Sequence, residues 1–336
     1  MIQTITILVL AGIFSGTFSL SMKYNPKWQW ENHWLVWSIV ATFILPIFIA
    51  YITVPDIFSI YAQTSVKVLT ITFLLGMLWG VGAIFFGLGL KYLGIGLGMA
   101  IMMGLINSLG SLVPMLIQNP EAFSHTEGKA LLIASVFFLI GIIFCAVSGN
   151  MRQKKQIRKQ TDNVNSNKNT FLIGIIIAVF AGILGPMINF TFVIGGSMQD
   201  IAKQLYNDNI FTANLIWAIA LPGGFVANFG YCIYLLKKNK SYKNFTNTGT
   251  TNWLLSLIPG FLWFGSILFY GIAVTKLGKS GASIGWAFFQ SLAIVSGNVA
   301  GVISGEWNNS GKKPFIINIV GLLFLIVGII ILAYYK

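Results

Sequence analysis

Residues 68–90 read VLTITFLLGMLWGVGAIFFGLGL, twenty-three positions without a charge. As a helix this string is about 35 Å long, enough to cross the ~30 Å hydrocarbon core of a bilayer. It is too long for a barrel strand. Backbone groups find no hydrogen-bond partners in hydrocarbon, so the segment must satisfy itself as a helix. The whole chain has the same character, with 56% hydrophobic and 9% charged residues over 336 positions. A water-soluble domain carries about 25% charged residues, so much of this surface faces lipid.

Apolar runs between charged or Pro/Asn-rich breaks place spans near 3–22, 33–54, 68–90, 94–117, 129–149, 171–195, 210–236, 252–275, 281–304 and 314–335. The expected fold is therefore an all-α membrane protein of ten transmembrane helices. The first run has no basic segment before it and no small-residue cleavage site, and reads as a retained helix. Lys and Arg concentrate in alternate loops: fifteen of the 21 lie in odd-numbered loops (Lys23, Lys91, Arg152, Lys237 and Lys312 among them) and six elsewhere. The positive-inside rule puts the odd loops in the cytoplasm and both termini in the periplasm. The net charge of +13 is accounted for in the same way, so no nucleic-acid partner is expected.

The polar stretch from Gly149 to Thr170 has no apolar periodicity and divides the chain into units at 1–150 and 171–336, joined by a basic cytoplasmic linker at 151–170. The two units share a pattern. Gly76-Met-Leu-Trp79, Gly87 and Leu93-Gly94 match Gly260-Phe-Leu-Trp263, Gly271 and Leu277-Gly278 at one constant offset. Ala11-Gly12-Ile13 likewise matches Ala181-Gly182-Ile183. Five spans per unit force the second unit to enter the membrane from the opposite side. Two inverted five-helix repeats are expected, an architecture of secondary transporters with a midplane site between the repeats.

Chemistry has few places to sit. Cys145 and Cys232 lie in apolar runs, and no metal-ligand spacing or cofactor motif occurs. His33 and His125 fall at span ends and no Asp or Glu lies centrally in any span, so an enzyme is not expected. The spans do hold neutral amides and aromatic rings. Trp79, Asn107, Asn189, Trp263, Tyr270, Trp286 and Gln290 form a candidate substrate site, with rings offering apolar faces to a sugar and amides bonding its hydroxyls. Each amide has an equally simple reading as an interhelical hydrogen bond, and each Trp as core packing. A neutral sugar gains nothing from the membrane potential, whereas a co-transported proton gains ~2.3 kcal/mol per 100 mV, nearly fifty-fold in accumulation. Glu31 and Glu306 are the candidate proton-coupling carboxylates, and a structural bridge to loop lysines is the alternative for both.

The stretches Lys23-Tyr-Asn-Pro-Lys27-Trp28-Gln-Trp30-Glu31, Trp79-Gly80-Val-Gly82, Lys91-Tyr92-Leu93-Gly94, Asn228-Phe-Gly230 and Glu306-Trp307-Asn308-Asn309-Ser-Gly311-Lys312-Lys313-Pro314 resemble the L-rhamnose–proton symporter family of the drug/metabolite transporter superfamily. The likeness runs through essentially the whole chain. It implies a bacterial inner-membrane permease importing a deoxyhexose with a proton. The chain departs from the family's polar pattern at Leu8, Ala83, Phe85, Phe86 and Ala282. An exporter of metabolites or drugs, an uncoupled facilitator and a membrane enzyme or sensor are the rival readings.

Overall fold

The computed structural model describes residues 2–157, 168–206, 209–308 and 310–335. Most of the linker, at 158–167, and Asn309 of the Glu-Trp-Asn-Asn motif lie outside them. Helices follow one another throughout: α1 (Ile2–Thr17), α2 (Trp30–Ser38), α3 (Leu45–Thr53), α4 (Ile57–Gln63), α5 (Val66–Gln118), α6 (Thr126–Ile157), α7 (Lys168–Leu184), α8 (Met187–Tyr206), α9 (Ala213–Asn239), α10 (Thr250–Leu277), α11 (Trp286–Ile303) and α12 (Lys312–Tyr334). Consecutive pieces merge into eight segments long and apolar enough to cross a membrane. The chain is thus an all-helical, multi-pass membrane protein. α2 and α3 are one run widened by a π-helical turn at Ile39–Ile44, with Pro46 in the first turn of α3.

Two of the eight segments, Val66–Gln118 and Thr250–Ile303, have 53 and 54 residues. Either would be about 80 Å long as a straight helix, far beyond a bilayer. α5 is broken at Gly94, whose φ of 75° and ψ of 172° suit glycine alone. A carbon placed on Gly98 would lie 3.3 Å from the Gly89 carbonyl oxygen. In a continuous helix those residues stand about 13 Å apart, so the chain doubles back at Gly94. Between α10 and α11 the helix tightens and then widens through Gly278–Ser280 and Gly281–Gly285, with Gly278 at φ 64°. A carbon placed on Gly285 would lie 3.4 Å from the Leu277 side chain.

Glycines that the sequence pairs between the units each sit close against another helix. Gly76 meets Ala220 of α9, and Gly260 meets Val40 of the α2–α3 run. Gly12 of α1 meets Leu292 of α11, and Gly182 of α7 meets Leu105 of α5. Small residues let helices approach closely where lipid supplies no hydrophobic drive.

The loops gather at two ends. At one, Asn25 donates to the Asn252 carbonyl, Trp28 to Thr248, Lys23 and Arg152 pair with Glu306, and Gly94 lies beside Gln153. This is the basic end. At the other, Asn209 and Asn214 reach Thr53, Tyr206 reaches Asp56, and Asn119 reaches Ser280. Phe48, Ile133, Leu172, Leu323 and Ile330 are exposed on the flanks, as lipid contact requires.

Candidate functional site

A cavity runs into the bundle from the basic end. Its outer part, a vestibule of about 570 Å³, is lined by Trp30, Arg152, Glu306 and Trp307 near the mouth and by Met99, Met103 and Asn298 deeper in. An inner chamber of about 220 Å³ follows, walled by Trp37, Trp79, Trp263, Ile267, Trp286 and Phe289. Six residues line both parts: Ser15, Phe18, Trp34, Ala83, Phe86 and Gln290. They form a collar between vestibule and chamber, and Ser15 and Gln290 are its polar members. Ala83, Phe86, Phe18 and Trp34 make the rest of this collar apolar or aromatic.

The chamber is ring-walled, and Trp79 and Trp263, matched in the sequence, stack on one another in its wall, centroids 5.3 Å apart at 21°. Trp37 meets Trp263 edge-on at 5.1 Å. Trp286 is fixed by donating its indole N–H to the Ile106 carbonyl at 3.0 Å. Such walls recognise a C–H face, and the single amide of Gln290 supplies both a donor and an acceptor. Among the described residues, no charged side chain lines the chamber.

Of the seven sequence-derived candidates, Trp79, Trp263, Trp286 and Gln290 therefore face the cavity. Asn107, Asn189 and Tyr270 sit behind its wall. Asn107 donates to Ser291 across the α5–α11 contact. Asn189, fully buried, donates to the carbonyls of Gly110 at 2.8 Å and Ala282 at 2.7 Å and accepts from the Tyr270 hydroxyl. Tyr270 is packed in turn among Phe192, Trp217, Trp286 and Phe289. This plug lies behind the chamber wall.

The two carboxylates differ. Glu306 lies in the vestibule wall, paired with Lys23 from the chain after α1 and with Arg152 of α6, the latter at 2.8 Å. Arg152 also caps the Trp307 ring at 5.0 Å. Glu31 is buried away from the cavity, accepting from Asn239 at 2.8 Å and Ser241 at 2.5 Å. With Asn32, which donates to the Ser241 carbonyl, it clamps the start of α2 to the end of α9.

Sequence reasoning missed two contributors. Arg152 was counted only as a topogenic charge, although it is one of two arginines and follows directly on a span. Trp30, Trp34 and Trp37 lie at i, i+4 and i+7, a helical stripe legible in the sequence but left unread.

The chain matches the family model described as L-rhamnose-proton symport protein over residues 1–334. It is 29% identical over 336 residues to an Escherichia coli (strain 55989 / EAEC) protein named L-rhamnose-proton symporter, covering 95% of this chain and 96% of that one. A protein of the same name from Salmonella paratyphi B is 28% identical over 322 residues, covering 94% and 92%. With a match of that extent, and with a cavity reaching into an all-helical membrane bundle, the chain belongs to the L-rhamnose-proton symport protein family, and is a transporter rather than an enzyme.

Proposed function

We propose that this protein imports L-rhamnose or a related 6-deoxyhexose across the bacterial inner membrane, together with a proton, by alternating access. The observation that carries the reading is the cavity reaching in from the basic end, whose inner chamber combines tryptophan rings with one amide. A 6-deoxyhexose has a methyl group and a C–H face for those rings and hydroxyls for Gln290 and Ser15. Trp79, Trp263, Trp286 and Gln290 are the proposed sugar contacts, while Asn107, Asn189 and Tyr270 hold the wall from behind.

The proposed architecture is ten spans in two inverted repeats, 1–150 and 171–336, joined through 151–170. Support comes from the reversal at Gly94 and the glycine-rich turn at 278–285, which split the two longest segments. The paired contacts Gly76 with Ala220 and Gly260 with Val40, Gly12 with Leu292 and Gly182 with Leu105, are those a two-fold axis in the membrane plane would generate. We place the basic end in the cytoplasm and both termini in the periplasm. This conformation is then the inward-open one. Impermeant maleimide should leave an Asn247→Cys variant unlabelled in intact cells and label it in inside-out vesicles; labelling from outside would reverse the orientation.

For the proton, we assign exchange to Glu306, which the vestibule reaches, and a structural role to Glu31. Glu306 pairs there with two cations, Lys23 and Arg152, from different segments of the chain. An uncoupled facilitator is the second reading, favoured by a chamber whose described lining residues are all uncharged.

The sugar's position is tested by protection. In a variant lacking Cys145 and Cys232, a cysteine at Ala83 should react with a thiol reagent in inside-out vesicles, and saturating L-rhamnose should slow that reaction about tenfold or more, as a sugar burying most of its surface at the collar implies. Unchanged reactivity with sugar present places the substrate elsewhere.

A further inference from the structure

The plug has a counterpart in the other half of the chain, and that counterpart lies open. Counting from the matched Ala11-Gly12-Ile13 and Ala181-Gly182-Ile183, Ser19 corresponds to Asn189; counting from Trp79 and Trp263, Phe86 corresponds to Tyr270. The second unit then carries three further residues, the turn Gly278–Ser280. Beyond it Gly98, Ala100, Leu105 and Gly110 match Gly285, Ala287, Leu292 and Gly297 at one constant offset, which pairs Ile95 with Ala282. Asn189, Tyr270, Ala282 and Gly110 are all buried. Their counterparts Ser19, Phe86, Ile95 and Gly297 all line the vestibule.

The chamber behaves differently under the same correspondence. Besides Trp79 and Trp263, its wall holds both members of the pairs Ser15 and Gly185, Phe18 and Ile188, and Ala83 and Ile267. A chamber on the proposed two-fold axis maps onto itself, while the plug maps onto the open vestibule. Related halves that hold the same positions in two packings are what alternating access requires, because the opposite state is reached when the halves exchange packings. The two sets differ in chemistry. Asn189 donates two hydrogen bonds and accepts one from Tyr270, whereas Ser19 has a single hydroxyl donor and Phe86 none.

We propose that Ser19, Phe86, Ile95 and Gly297 are the gate of the basic end: in the opposite state they pack together as Asn189, Tyr270, Ala282 and Gly110 do here, and close the vestibule. This rests on the alternating-access reading above and names its moving parts at that end. Of the three hydrogen bonds that Asn189 makes in the plug, the gate can form one, from the Ser19 hydroxyl to a backbone carbonyl. The gate is therefore the weaker of the two closures, and the conformation with the vestibule open is the resting one. Ser19→Asn and Phe86→Tyr supply the groups that the gate lacks.

The test reads which end is open, in purified protein in detergent, where a maleimide meets both ends. Single cysteines are placed in a variant lacking Cys145 and Cys232. One replaces Ala83 in the collar, and the other replaces Ser111, which is 1% exposed and corresponds to the vestibule-lining Asn298. Ser111 takes the open position in the opposite state, so the reaction rate of Ser111→Cys follows the population of that state. Phe86→Tyr should raise that rate about fivefold through one added hydrogen bond, and Ser19→Asn with Phe86→Tyr about tenfold or more, neither raising the rate of Ala83→Cys. Tyr270→Phe, which removes a bond from the plug, should also raise the Ser111→Cys rate about fivefold. Phe86→Tyr adds only a hydroxyl, so it keeps the question answerable if the double variant folds poorly. A Ser111→Cys rate that rises with Tyr270→Phe but not with Phe86→Tyr overturns the gate and leaves alternating access standing. A Phe86→Tyr change that speeds both cysteines loosens the fold instead of shifting it, and overturns the gate as well. Rates that no variant moves overturn the gate and alternating access together.

Discussion

Asn189→Leu is expected to destabilise the protein by about 2–4 kcal/mol and to remove uptake, because each buried polar group left without its partner costs about 1–3 kcal/mol. The amide binds the Gly110 and Ala282 carbonyls and the Tyr270 hydroxyl, so one side chain joins α8 to α5, to α10 and to the turn before α11. Those elements form the plug behind the chamber wall. Tyr270→Phe removes one of the three bonds and should cost about 1 kcal/mol, with a non-additive double mutant. Thermal unfolding in detergent measures both. Gln290→Ala gives the contrasting result: an unchanged melting temperature with the apparent KM for sugar raised about tenfold, the loss of roughly one well-made hydrogen bond to a bound hydroxyl. An Asn189→Leu protein of normal stability and raised KM would move that amide from the plug to the sugar site.

Glu306→Gln should abolish accumulation while sparing exchange. With the proton acceptor removed, the sugar can still equilibrate but loses the ~2.3 kcal/mol per 100 mV that a co-transported proton provides, so an accumulation of nearly fifty-fold falls to about one. Counterflow, which needs no net proton movement, should continue. The variant leaves Lys23 and Arg152 beside a neutral amide, so Lys23→Gln in the Glu306→Gln background should relieve any loss of expression without restoring accumulation. Glu31→Gln is expected to act differently, weakening the α2–α9 clamp at Asn239 and Ser241 and lowering thermal stability with coupling retained. If Glu306→Gln still concentrates sugar, the proton travels by another route.

Much of this was legible before any coordinates. Charge-free runs such as 68–90 could only be membrane helices, and the distribution of lysines separated the basic end from its opposite. The matched Trp79 and Trp263 pointed to a shared central place, and they do stack on one another there. Depth in the membrane was readable; direction around each helix was not. In a soluble helix a polar face marks solvent, but a membrane helix is apolar both toward lipid and toward its neighbours. Gln290 and Asn189 therefore looked alike in the sequence, one facing a cavity and the other sealed behind its wall. The same ambiguity hid the stripe of Trp30, Trp34 and Trp37. Arg152 was masked for another reason: a basic residue just past a span is explained by topology alone, and its pairing with Glu306 bridges 154 positions.

The most direct test of coupled sugar import is uptake of labelled L-rhamnose by energised proteoliposomes with and without a protonophore. Coupled import predicts accumulation well above the external concentration, collapse to equilibration when the protonophore is added, and alkalinisation of the external medium on adding L-rhamnose to unenergised vesicles. Uptake that only equilibrates, whether or not the protonophore is present and with no proton movement, would contradict it and identify a facilitator.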